Sequence, residues 1–201
     1  MDIISNPSIP HGGAMVARFL EELHGRGLAH EELQQHPLSS IEAGLPHYIR
    51  ETTLQEMAAG ATPLDQAPVS GMRYLLRGPL GVAGAIDLAL TAGGTDAARV
   101  AGLTGGEQIH RLNQALRRLD EHPANYRAEL SLLRCRGLDL EALLLSSPEQ
   151  ETLVFPLLTG GPSLKGHVYK EAEYRKALQH EAQRALKQFS ADGDGEDASE
   201  G

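Results

Sequence analysis

Apolar residues recur at two different periods along this chain, and the change of period divides it. Met15, Val16, Phe19, Leu20 and Leu23 fall on one side of a helical wheel, and Gly25 and Gly27 can end that helix. A shorter helical piece runs from His30 to Gln35, before Pro37. Ser39-Ser40-Ile41-Glu42 fits a capping box, in which the Ser39 hydroxyl takes a free backbone N–H and Glu42 reaches back. Pro46 interrupts the next stretch, and Tyr48 to Ala59 reads as a helix with Ile49, Thr53 and Met57 on one face. Pro63 and Pro68 mark residues 61–68 as a linker.

From residue 72 the pattern alternates. Met72, Tyr74 and Leu76 interleave with Arg73, Leu75 and Arg77, a turn comes at Gly78-Pro79-Leu80-Gly81, and Val82 to Leu90 alternates again. The pair predicts a β-hairpin with a four-residue loop. Thr95 to Leu103 reads as a short helix capped by Thr95. Glu107 to Glu121 is a clearer helix, with Ile109, Leu112, Leu116 and Leu119 as its apolar stripe and Arg111, Arg117 and Arg118 on its polar side. Tyr126 to Ser146 alternates as strand, with a parity slip near Leu132–Leu133 that suggests a bulge. Thr152 to Leu158 predicts a further strand whose Pro156 points to a sheet edge. His167 to Phe189 is helical, with Tyr174, Leu178, Ala182, Ala185, Leu186 and Phe189 on one face.

Strands joined by short connections and segregated from helices predict an α+β fold. The expected architecture is a four- to five-stranded antiparallel sheet with the 107–121 and 167–189 helices on one face and an N-terminal helical arm. The expected organisation is a helical region and linker over 1–68, an α+β domain over 69–189 and an acidic tail over 190–201.

Charge changes this picture in one respect. The 201 residues carry 27 acidic and 18 basic side chains, a formal net charge of −9, which argues against general nucleic-acid binding. The excess is not uniform. Residues 1–71 hold nine acids and three bases, residues 72–166 ten of each, and residues 167–201 eight acids and five bases. Residues 191–201 alone contain five acids and no base, the composition of a solvating tail. The body between the ends is therefore neutral and studded with arginine: Arg73, Arg77, Arg111, Arg117, Arg118, Arg127, Arg134 and Arg136. These side chains suit either ion pairing with local acids or an interface for an acidic partner, such as the tail or N-terminal third of another copy. Arg73, Arg77, Arg117, Arg118, Arg134 and Arg136 are the expected partner-binding set.

Candidate chemistry is sparse. Leu90-Thr91-Ala92-Gly93-Gly94, Leu103-Thr104-Gly105-Gly106 and Leu158-Thr159-Gly160-Gly161 each close an apolar stretch, and glycine turns before helices can cradle anions. The third continues through Ser163 and Lys165, so Gly160, Gly161, Ser163 and Lys165 form a candidate anion site, with His11 or His167 as further groups. The order matches neither a P-loop nor a nucleophile elbow. None of the nine histidines has the i, i+4 spacing of a helical metal pair, and no metal or cofactor is expected. Cys135, the single cysteine, permits no intramolecular disulfide and suggests a cytoplasmic setting, with signal-less secretion also open. In a strand its arginine neighbours point to the opposite face, which favours a structural thiol over a nucleophile. Asp87 and Glu129 lack the following lysine of nuclease cores. No catalytic residue is assigned, and no apolar run reaches membrane-span length.

No stretch carries a family's signature residues. The element order over residues 72–189, taken with the acidic balance, resembles small α+β chaperones and adaptors of bacterial secretion systems, a resemblance that implies a cofactor-free and often dimeric protein. The expected function is a non-catalytic adaptor, chaperone or assembly factor. It would bind a protein partner through helix stripes and an Arg-rich sheet surface. The alternative is a small enzyme or ligand-binding protein that takes an anionic metabolite at the glycine turns.

Overall fold

The computed structural model describes residues 2–4, 6–27, 31–91, 96–120, 127–158 and 167–193. In chain order these form β1 (Asp2–Ile4), α1 (Gly12–Arg26), α2 (Glu31–Gln34), β2 (Glu42–Glu51), α3 (Leu54–Ala59), β3 (Val69–Gly78), β4 (Gly81–Leu90) and β5 (Ala97–Thr104). Next come α4 (Glu107–Asp120), β6 (Arg127–Cys135), β7 (Leu140–Ser146), β8 (Leu153–Leu158), β9 (Tyr169–Lys170) and α5 (Glu171–Gly193). All nine strands belong to one sheet, ordered β5-β4-β3-β2-β6-β7-β8-β9, with β1 alongside β6.

This corrects the expected architecture. The sheet has nine strands and is mixed, because β1 and β2 both pair parallel to β6 while the other neighbours are antiparallel. The N-terminal region is no helical arm, since β2 lies at the sheet's centre. Of residues 95–103, expected as a helix, those from Ala97 onward lie in the edge strand β5. The β2 segment does not read as strand from its sequence because Gly44, Leu45 and Pro46 break its alternation. Leu45 takes a left-handed backbone (φ 46°), and the register with β3 shifts between Gly44 and His47. Only the stretch from Tyr48 onward reaches β6, and β1 fills the remaining length of β6's edge. Asn6 splices the two segments: its N–H donates to the Pro46 carbonyl (3.0 Å), and its side-chain oxygen accepts from the Tyr48 N–H (3.1 Å).

The capping box also lies elsewhere. Thr53 Oγ1 accepts from the Glu56 N–H and Glu56 accepts from the Thr53 N–H, opening α3, whereas Ser39 lies in a 3-10 turn. The parity slip at Leu132–Leu133 is not a bulge. The β6–β7 register runs unbroken from Glu129 to Cys135. Alternation disappears there because both faces of β6 are covered, so Leu130, Leu132, Leu133 and Cys135 are all buried.

Helices cover both faces, not one. On the first face α4 packs Ile109, Leu112 and Ala115 onto Leu75, Ala85, Leu130, Leu132, Leu143 and Phe155. On the second, α1 and α2 place Val16, Leu20 and Leu33 over Met72, Leu76, Ile86 and Leu88. Beside them α3 and α5 place Met57, Tyr174, Leu178 and Ala182 over Leu133, Ala142, Leu144 and Val154. The sheet curls around α4. Strands β4 and β8 are five places apart, about 24 Å in a flat sheet, yet α4, a helix about 10–12 Å across, touches both. Among the described residues no helix is long and apolar enough to cross a membrane.

Candidate functional site

Two polar features occupy the α4 face of the sheet. One is buried. Arg73 on β3 is 1% exposed and meets Asp87 on β4 through two hydrogen bonds, Nε to Oδ1 at 2.6 Å and Nη2 to Oδ2 at 2.9 Å. Its Nη2 also donates to Thr104 Oγ1 on β5 (3.3 Å). Arg134 on β6 donates to Asp87 Oδ2 (3.0 Å) and, through Nε and Nη2, to Glu141 Oε1 on β7 (2.9 and 2.6 Å). Two guanidinium groups and two carboxylates thus close a neutral network over strands that the sheet's curl brings together.

This geometry sets the electrostatics. Burial alone would lift the Asp87 carboxyl, but the hydrogen bonds and charges of Arg73 and Arg134 outweigh it and hold the group below the usual carboxylate range. Burial likewise opposes the charge on Arg134, and Glu141 and Asp87 more than offset it. His47, opposite Arg73 on β2, is fully buried. Burial pushes its pKa down to about 4, opposed by the Leu45 carbonyl that accepts from Nδ1 at 2.8 Å. A backbone carbonyl only accepts, so Nδ1 carries the proton of the neutral ring. Nε2 is then a buried acceptor with no partner among the described residues.

Both Asp87 oxygens and Glu141 Oε1 are engaged by guanidinium groups, so these two carboxylates serve ion pairing. Past Arg134 the network opens into a groove bordered by Glu51, Thr52, Gln55 and Arg136. Arg136 there is 81% exposed and pairs with Glu51 at 3.3 Å.

The second feature is the solvent side of α4. His110, Arg111, Gln114, Arg117 and Arg118 are exposed, and no acid lies between residues 110 and 118. Residues seven apart nearly superpose on a helix, so His110 and Arg117 form one stripe and Arg111 and Arg118 the next. Arg111 pairs with Glu107 (2.6 Å) and donates to the Leu157 carbonyl of β8 (3.3 Å). On the other flank Asn113 Oδ1 accepts from the Val82 N–H (3.2 Å) while its amide donates to the Val82 carbonyl (2.8 Å) of β4. One helix is therefore tied to both wings of the curled sheet. The Asn113 bonds also steady the β3–β4 turn, whose Leu80 is 84% exposed.

The residues expected as a partner-binding set are split. Arg73 and Arg134 are inside the network, Arg136 lies at the groove, and Arg77, Arg117 and Arg118 are exposed. Gly160, Gly161, Ser163 and Lys165 lie outside the described residues. Of the other glycine turns, Leu90 ends β4 and Thr104 ends the antiparallel β5, so they stand at opposite ends of neighbouring strands. His11 is exposed at the start of α1, and His167 stacks on Tyr169 with ring centres 3.8 Å apart. Cys135 is buried on the opposite face to Arg134, and burial raises its thiol pKa. Glu129 is exposed. Among the described residues no group of three or more His, Cys, Asp or Glu could hold a metal ion.

His47, Glu141 and Asn113 do not stand out by sequence pattern. Only the last carries a usable signal, as a polar residue beside the apolar stripe of an amphipathic helix. No protein-family model, curated protein or solved structure matches the chain.

Proposed function

We propose that this protein is a non-catalytic adaptor, chaperone or assembly factor that docks an acidic protein partner on the outer face of α4. One observation carries the reading: exposed Arg117 and Arg118 lie on the outer side of a helix that Arg111 and Asn113 fix to both wings of the sheet, in a chain whose net charge is −9. Cations on a rigid frame suit recognition of carboxylates, and rim charges of this kind govern association rate and partner choice. Exposed Leu80 and Arg77 extend the surface. The sheet arginines Arg73 and Arg134 serve the fold in this reading. A reducing cytoplasmic setting suits the buried lone thiol.

The test is affinity capture from the native host with the wild-type chain and an R117E/R118E variant. The expected result is a partner enriched with wild type and lost, or sharply reduced, with the variant. Equal capture by both chains would overturn the assignment of the surface.

A further inference from the structure

We draw no further inference here: the strongest candidate, the groove at the open end of the buried network between Thr52, Gln55, Arg134 and Arg136, carries nothing because Arg134 is already paired with Asp87 and Glu141 and Arg136 with Glu51, and nothing in the structure shows what covers it.

Discussion

Arg73 and Asp87 face each other across the β3–β4 pair and join through two hydrogen bonds, with the guanidinium almost wholly removed from water. Burying either charge alone is costly, and each is tolerated because the other is present. Asp87 also receives Arg134, so one carboxylate serves two cations. Asp87→Ala should leave both guanidinium groups under-compensated and lower stability by about 3–5 kcal/mol. The double variant Arg73→Met/Asp87→Leu removes both charges and should lose markedly less. Urea denaturation of the three chains checks this, and equal losses in single and double variants would contradict it.

Acid should destabilise the fold in two separable windows. His47 has a folded pKa of about 4 against an ordinary value of 6.5. Between those values the unfolded chain binds a proton that the folded chain refuses, so stability falls as pH falls. Over the full window the loss is about 3 kcal/mol. Asp87 is shifted the same way, its folded pKa lying below 3.8, so its contribution is present above that value and is lost as pH drops further. His47→Gln should flatten the stability profile between pH 6.5 and 4 and leave the steeper fall at lower pH. An unchanged slope in that variant would show that other groups carry it.

The Arg73–Asp87 pair shows where sequence pattern stops short. The hairpin itself is plain, because alternation flanks a Gly-Pro-Leu-Gly turn. Its register is not. Gly78 pairs with Gly81 and Arg77 with Val82, and that register, continued unbroken, would set Arg73 opposite Ile86. An extra residue, Ala83, is bulged out before Leu76 meets Gly84, and this puts Asp87 opposite Arg73 instead. A one-residue slip exchanges the faces of a strand, and nothing in the local sequence announces it. The helices α1, α4 and α5 are visible because each has one wet and one dry side. Strand β2 is not, since its bulge at Leu45–Pro46 destroys the period and its pairing with β6 is settled about 80 residues away. The candidate surface is partly visible for the same reason. The arginines of α4 stand on a readable amphipathic helix, whereas those of β3 and β6 are sorted by a register and a curl that only tertiary structure sets.

Cys135 offers a measure of how tightly the second face is sealed. It lies with Leu133, Leu140 and Tyr174 beneath α3 and α5, fully buried, with its pKa raised by that burial. Reaction with a neutral aromatic disulfide needs both access and thiolate. Labelling of the native protein at about pH 8 should therefore be slower by orders of magnitude than in denaturant. Its rate should track the opening of α5 and rise with low concentrations of urea. Stoichiometric labelling within the mixing time in native buffer would contradict the placement of α5.

Asn113 separates two accounts of what holds α4. The apolar stripe of Ile109, Leu112 and Ala115 attaches the helix without direction, because burial rewards area alone. Asn113 adds direction by satisfying both backbone groups of Val82 next to the turn. Asn113→Ala should leave those groups unpaired at a partly buried site and lower stability by about 1–3 kcal/mol. Asn113→Asp should not rescue it. The carboxylate keeps an acceptor for the Val82 N–H but sets a second acceptor against the Val82 carbonyl. Amide exchange gives the local readout: protection at Val82 should fall in both variants, while the protection of β7 changes only with global stability. If α4 is held by its stripe alone, Asn113→Ala loses little stability and Val82 keeps its protection. In that case the arginines would ride on a helix free to shift against β4, and the rigid docking face would lose one of its two anchors.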